Sequence, residues 1–340
     1  MSGPLLSLAV FLAFAAGSTV VGWLYRTRGW GPESVSRQVH WFTVVVLWTA
    51  TLMLVLWRDP PGVSTAWLLL LEPVALAGPA LLVLWLGSRW MKDRSALGVL
   101  VIGAGLGNTG LTLGMLVCHA VFDTPTPGLS AQLTEGEAAD PGRAARSYAA
   151  ALVSVMVVSG IAVLYPIAHR LSPESRAGGG ALRLVLRSLA DVRAMPLAGA
   201  AAGVGLGHAG PSYPAWLDAV HAIDVLVFLG GFGAYFGIGA RLRVGDLWRR
   251  PELHVATTLI RFGLAPLVAL VAVMLAWQAP APPSALLGRV LVVEAAMPLA
   301  IQAVVIPNLF GLDARLASAL WVLNTLLYCV VLLPVILWLL

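Results

Sequence analysis

Ten long apolar runs constrain this chain more than any other feature. Each is close to the roughly 17–25 residues that an α-helix needs to cross the hydrocarbon core of a bilayer. Only 11% of the residues are charged and 59% are hydrophobic, whereas about 25% are charged in soluble domains. The sequence therefore predicts an all-α integral membrane protein with ten transmembrane helices. The predicted spans are residues 3–24, 40–57, 65–88, 95–121, 147–168, 192–207, 217–240, 253–277, 286–310 and 316–339.

Basic residues are distributed unevenly among the loops between these runs. Most of the 21 Lys and Arg residues fall in alternate loops, and positive side chains prefer the cytoplasmic side. We therefore expect a multi-pass protein of the cytoplasmic membrane with both termini outside, in contact with membrane lipid. The net charge of +5 indicates no nucleic-acid partner, because the loop asymmetry accounts for it.

The longest basic loop divides the chain into two halves. Residues 169–191 form a predicted cytoplasmic linker between a five-helix repeat at 1–168 and a second at 192–340. An odd number of spans in each half gives the halves opposite orientations, which is typical of secondary transporters built from inverted repeats. The third span then pairs with the eighth, the fourth with the ninth and the fifth with the tenth.

Two of these paired spans are interrupted. Residues 103–114 place five glycines and three polar side chains inside the fourth span, and residues 294–302 place a glutamate, a proline and a glutamine inside the ninth. A helix opens at membrane depth only where protein or a watery cavity satisfies its backbone. We therefore predict that the fourth and ninth helices are broken, cross each other and form a binding site.

The first interruption offers an amide and a hydroxyl between two glycines, and the second offers a freed carbonyl and a glutamine one turn further on. The alternative is that the glycines only allow close helix packing and that the proline only kinks its helix. The predicted substrate-binding residues are Gly107, Asn108, Thr109, Gly110, Pro298 and Gln302.

Glu72, Arg261 and Glu294 are charged residues within the third, eighth and ninth predicted spans. An ionisable side chain in hydrocarbon is costly and indicates a functional site by default. We assign Glu72, Arg261 and Glu294 to ion or proton coupling, with Glu72 as the proton or cation site. The alternative is a structural ion pair between Glu72 and Arg261. No cofactor is expected, and coupling to H⁺ or Na⁺ stays open.

Other chemistry has no sequence support. The six histidines and two cysteines have no metal-ligand spacing, so no metal site is predicted. The spans contain no nucleophile–base cluster, so we do not expect an enzyme. Residues 122–146 are rich in turn-forming residues and are predicted to be a loop.

Three short motifs resemble the auxin efflux carrier family of bacterial and plant transporters, which is related in fold to the bile acid and sodium symporters. They are Gly107-Asn-Thr-Gly110, Glu294-Ala-Ala-Met-Pro298 and Leu309-Phe-Gly-Leu-Asp313. The resemblance implies that the broken fourth and ninth spans cross within a mobile transport domain of spans 3–5 and 8–10. It also implies a scaffold of spans 1, 2, 6 and 7, and elevator-like alternating access for organic anions.

The expected function is a secondary carrier that moves a small organic anion, such as a carboxylate, across the membrane. The alternative is a membrane sensor or partner-binding protein that keeps a carrier fold without net transport. A homodimer is a further expectation, because a scaffold face rich in apolar residues suits self-association.

Overall fold

The computed structural model describes residues 3–32, 34–58, 60, 66–109, 113–123, 127–173 and 181–339. Within these ranges every regular element is a helix. Seven helices of the described chain are long and apolar enough to cross a membrane. The protein is therefore an integral membrane protein built from helices.

The seven long helices account for predicted spans 1, 2, 3, 5, 7, 8 and 10. They are α1 (Gly3–Thr27), α2 (Val35–Arg58), α3 (Leu68–Trp90), α8 (Pro141–Leu171), α12 (Ala222–Arg241), α13 (Pro251–Ala276) and α16, which runs from Ala314 to Leu339.

Shorter helices occupy the three remaining predicted spans. The fourth consists of α4 (Arg94–Gly105) and α5 (Leu113–Phe122), and the ninth of α14 (Ala285–Ala295) and α15 (Gln302–Leu309). The sixth is α10 (Met195–Ala209). A helix in the linker, α9 (Ala181–Leu189), precedes α10, and the chain bends by 72° between them.

The predicted loop at 122–146 is wrong, because two short helices form there, α6 (Pro127–Ser130) and α7 (Glu135–Ala139). Thr134 and Glu137 make a reciprocal capping box at the start of α7, which satisfies two backbone donors that would otherwise be unpaired.

The predicted start of the seventh span at residue 217 is also wrong. A separate helix, α11 (Ala215–Ala219), ends before α12 begins. His221 between them has a φ of 50°, a left-handed conformation that no continuous α-helix of L-residues contains.

Small residues allow α10 to pack closely along α2. Gly199, Gly203 and Gly207 lie at four-residue spacing, and a methyl group at any of them would collide with α2 or the residues just after it. The backbone carbonyl of Thr49 is the nearest obstacle at Gly199, and that of Met53 at Gly203. Such small-residue contacts are how helices approach each other in lipid, where no hydrophobic effect drives association. Helix α12 packs against both α1 and α2, which completes a first helical group.

A second helical group surrounds the interrupted helices. Helix α3 packs on α4 and α13, while α8 contacts α3, α5 and α14. The largest apolar cluster of the described chain lies around α4 and α15, with Val101, Ile102, Val304 and Val305 buried at its centre. The two interrupted helices are therefore held in a packed core and do not face lipid along their length.

Four helices contain a π-helical turn, a local widening that is often found at functional sites. The turns lie at Thr43–Trp48 in α2, Gly160–Leu164 in α8, Ile260–Leu264 in α13 and Tyr328–Leu332 in α16. The first two turns line a cavity beside the interrupted helices, and the third carries Arg261.

Candidate functional site

The two interruptions cross as short extended segments. Gly107 and Leu299 form an antiparallel bridge. On either side of it the Asn108 N–H donates to the Pro298 carbonyl at 2.6 Å and the Ala300 N–H donates to the Leu106 carbonyl at 3.0 Å. Each break exposes backbone groups at a depth where lipid offers no partner. The two breaks satisfy each other, so neither can straighten alone without leaving groups of the other unpaired.

Neighbouring helices hold the remaining backbone groups of the crossing. The Asn324 side chain in α16 accepts a hydrogen bond from the Leu299 N–H at 2.9 Å. The Gly114 N–H, at the start of α5, donates to the Asn108 carbonyl at 3.1 Å. The crossing is thus fixed from both sides.

Arg261 in α13 is buried at the crossing, with 2% of its surface exposed. Its guanidinium donates to the carbonyls of Ala104 at 3.0 Å, Ala295 at 3.0 Å and Met297 at 2.9 Å. Ala104 lies in the last turn of α4, and Ala295 ends α14. Helix C-termini carry partial negative charge and unsatisfied carbonyls, so a single cation stabilises the ends of both half-helices.

The Glu72–Arg261 ion pair that the sequence left open does not form among the described residues. The Glu72 carboxylate instead accepts a hydrogen bond from the Ser159 hydroxyl of α8 at 2.6 Å. Arg261 uses its donors on the backbone carbonyls of the crossing. The position of the Arg261 guanidinium explains this choice of partners, because it lies against Gly107 in the crossing. A methyl group added at Gly107 would collide with the Arg261 Nη2 atom.

A cavity of about 120 Å³ lies on one side of the crossing. Its walls come from α2, α8, α10, α12 and α15, that is, from both helical groups. Asn108, Thr109 and Gln302 line it from the crossing, and Trp48 and Tyr165 from the surrounding helices. Most of the remaining lining is aliphatic, so the cavity presents a few hydrogen-bonding groups on an apolar wall, as small-molecule sites do.

A smaller cavity of about 30 Å³ lies on the other side of the crossing, with room for about two water molecules. Glu72, Arg261 and Glu294 line it. Glu294 is fully buried, and the Cys118 thiol donates to its Oε1 atom at 3.4 Å. The three charged residues therefore come together in one place, although Glu72 and Arg261 do not pair.

Successive residues of the chain at the first break face opposite cavities. Leu106 and Asn108 line the larger cavity, whereas Gly105 and Gly107 line the smaller one, as expected for successive residues that point to opposite faces. Thr109 lines both, and its hydroxyl donates to the Met156 sulfur at 2.9 Å.

The predicted site residues thus divide into two sets on opposite faces of the crossing. Pro298 contributes its carbonyl to the crossing, and Gly107 provides the close approach of Arg261. Gly110 lies outside the described residues.

The sequence reasoning missed several residues that surround the cavities. Tyr235 of α12 interacts with the Asn108 side chain, Met156 accepts the Thr109 hydroxyl, and Asn324 holds the second break. All lie in helices that are distant in sequence from the breaks, and no local pattern marks them.

A family model with the description "Membrane transport protein" matches residues 233–339. This model represents the auxin efflux carrier family domain. Residues 233–339 carry the auxin efflux carrier family domain. The domain begins within α12 and includes the second interrupted helix. It therefore contains Arg261, Glu294 and Pro298. No curated protein matches the chain. The apolar helices make this a multi-pass membrane protein, and residues 233–339 carry a membrane transport domain.

Proposed function

We propose that this protein is a secondary carrier that moves a small organic anion across the cytoplasmic membrane by elevator-like alternating access. The observation that carries the proposal is the larger cavity, which lies between the two helical groups and has the crossing as one wall. A site in that position changes its exposure when one group moves against the other, because the crossing belongs to only one of them.

The polar groups of this cavity suit a carboxylate on an apolar body. The N-terminus of α15 reaches the cavity through Ile301 and Gln302, and helix N-termini favour anions. The Asn108 amide and the Gln302 amide can donate hydrogen bonds. Since the rest of the wall is mostly aliphatic and aromatic, the bound molecule needs an apolar portion.

The division of the helices supports a moving part and a fixed part. Helices α1, α2, α10 and α12 pack together through small residues, and the remaining long helices pack around the crossing. We assign the first group to the scaffold and the second to the transport unit. The scaffold helices are predicted spans 1, 2, 6 and 7.

An inverted repeat of ten spans is part of the same proposal. The fourth and ninth spans are both interrupted. This coincidence falls on a pair of spans that an inverted five-plus-five arrangement relates. With both termini outside, the ends rich in Arg and Lys face the cytoplasm.

The smaller cavity is the proposed coupling site. Glu72 and Glu294 can each take up a proton, and Arg261 supplies a fixed positive charge beside them. Because Thr109 lines both cavities, a change in charge on one side can alter the hydrogen bonding that the substrate meets on the other.

Thermal unfolding of the purified full chain with a panel of organic acids tests the binding proposal. A ligand that binds the folded state raises its apparent Tm by mass action. We expect a carboxylate with an apolar body to raise the Tm of the wild type and to have no effect on Asn108→Ala. Gln278→Ala, which removes an exposed amide outside the cavity, serves as the control and should respond like the wild type.

Flux measurements then separate the carrier from a sensor. The stabilising acid should exchange across proteoliposomes containing the wild-type protein. Binding without any exchange would contradict transport and would support a sensor on the same fold.

A further inference from the structure

Helix α9 in the linker between the two halves has three distinct faces. Leu184 and Ser188 are buried against the protein, with 7% and 0% of their surfaces exposed, and α9 contacts the end of α8. Leu182, Leu186 and Leu189 form a second face at helical spacing, and they are 73%, 58% and 41% exposed. Water is a poor environment for such an apolar stripe.

The third face of α9 is basic. Arg183 and Arg187 lie one turn apart and are exposed. The helix contains no acidic residue. The nearest carboxylate along the chain, that of Asp191, is engaged with His169 and Arg193. Within α9 and the described residues that follow it, no free carboxylate neutralises these two arginines.

The position of α9 places the exposed leucines beside the membrane. The chain bends by 72° between α9 and α10, so α9 lies at a steep angle to a span. The apolar stripe continues through Val192 and Met195, which are 51% and 42% exposed, onto the outer surface of α10. A helix roughly in the membrane plane with leucines on one side and arginines beside them has the pattern of an interfacial helix.

We propose that α9 is an interfacial anchor that binds the surface of an anionic bilayer. Leu182, Leu186 and Leu189 insert into the headgroup and acyl boundary, while Arg183 and Arg187 bind the phosphates of acidic lipids. Basic segments next to transmembrane helices are attracted to such lipids. Leu184 and Ser188 attach the end of α8 to this anchor, so the connection between the two halves is held at the membrane surface.

Site-directed spin labelling of the full chain in bilayers tests the orientation. Cysteines are introduced one at a time as Leu182→Cys, Leu186→Cys, Arg183→Cys and Arg187→Cys, in a background in which Cys118 and Cys329 are replaced by serine. Labels at 182 and 186 should be accessible to oxygen and protected from a water-soluble nickel complex. Labels at 183 and 187 should be accessible to nickel.

Two outcomes would overturn the anchor. Nickel accessibility at all four positions would show a helix in water. Protection of 182 and 186 from both reagents would show that protein, such as a second copy of this chain, covers the leucines.

Lipid selectivity tests the arginines separately. Spin-labelled phosphatidylglycerol should associate with the wild-type protein more strongly than phosphatidylcholine does. Replacing both arginines, Arg183→Gln with Arg187→Gln, should reduce this preference several-fold. The matched control is Arg143→Gln with Arg146→Gln, which removes two exposed arginines one turn apart near the start of α8. An equal loss in both double variants, or no loss in either, would contradict an acidic-lipid site on α9.

Discussion

The backbone amide of Asn108 donates to the backbone carbonyl of Pro298 at 2.6 Å, which joins two breaks that are far apart in sequence. This contact places the Asn108 side chain in the larger cavity, while its neighbour Gly107 faces Arg261. The backbone of the crossing is held by main-chain bonds, and its side chains are therefore free to differ in function on the two faces.

Arg261→Met should strongly destabilise the protein. The change removes hydrogen bonds to three buried carbonyls and leaves two helix ends without their cation. Each buried carbonyl left without its donor costs about 1–3 kcal/mol. Thermal unfolding in detergent should show a large fall in Tm, whereas Arg143→Gln, at an exposed position, should leave Tm unchanged. A stable Arg261→Met protein would contradict the role of the guanidinium in holding the crossing.

Gly107→Ala should also destabilise the protein, because the new methyl group would collide with the Arg261 guanidinium. Overpacking of this kind costs about 1–3 kcal/mol. Gly205→Ala is the matched control, since a methyl group at this helical glycine of α10 meets no atom within 4 Å. We expect a lower Tm only for the first variant. Equal Tm values would show that Arg261 moves aside at no cost.

The interruptions were predictable from sequence because they rest on local chemistry. Glycines, a proline and polar side chains inside an apolar run indicate a broken helix whatever surrounds it. The partners of Arg261 and Glu72 were not predictable, because each contact joins helices that are adjacent only in the folded protein. Pairing the third and eighth spans suggested that the two charges meet, yet the nearby Ser159 and the carbonyls of the crossing engage them separately.

Of the two errors in the predicted elements, one came from a sequence signal that was present but unused. Thr134 and Glu137 have the spacing of a capping box, which indicates a helix start within a segment otherwise rich in turn residues. The break at His221 had no such signal, because a histidine in the left-handed region is uncommon.

Asp93→Ala should reduce stability in a pH-dependent way. The hydrogen bond from the Ala96 amide, together with the Arg250 guanidinium, lowers the pKa of the Asp93 carboxyl at the start of α4. A lowered folded-state pKa gives stability that is present above the unfolded value, about 3.9, and is lost as pH falls through the folded value. The loss of a cap costs about 1 kcal/mol.

The Tm of Asp93→Ala should therefore fall below that of the wild type at pH 7, and the difference should shrink as the pH is lowered past the usual aspartate range. Asp123→Ala, at an exposed position, provides the comparison and should match the wild type throughout. A Tm difference of the same size at every pH would show that the Asp93 carboxylate does not stabilise the protein through its charge.

Glu72→Gln should preserve the fold and change the pH dependence of transport. The glutamine oxygen can still accept the Ser159 hydroxyl, so the contact at 2.6 Å is retained. A glutamine cannot bind or release a proton, so flux driven by a pH gradient should lose its dependence on that gradient. Glu135→Gln removes an exposed carboxylate and should leave the profile unchanged. An unaltered profile in Glu72→Gln would exclude Glu72 as the coupling group.

The most direct test of the crossing as the transport site is substrate counterflow in proteoliposomes with the Asn108→Ala variant. The main-chain bond from Asn108 to Pro298 does not involve the side chain, so the variant should stay folded, with a modest fall in Tm from the lost contact with Tyr235. We predict that counterflow is abolished in Asn108→Ala, reduced in Gln302→Ala and unchanged in Gln278→Ala. Wild-type counterflow in folded Asn108→Ala would show that the substrate does not bind at the crossing.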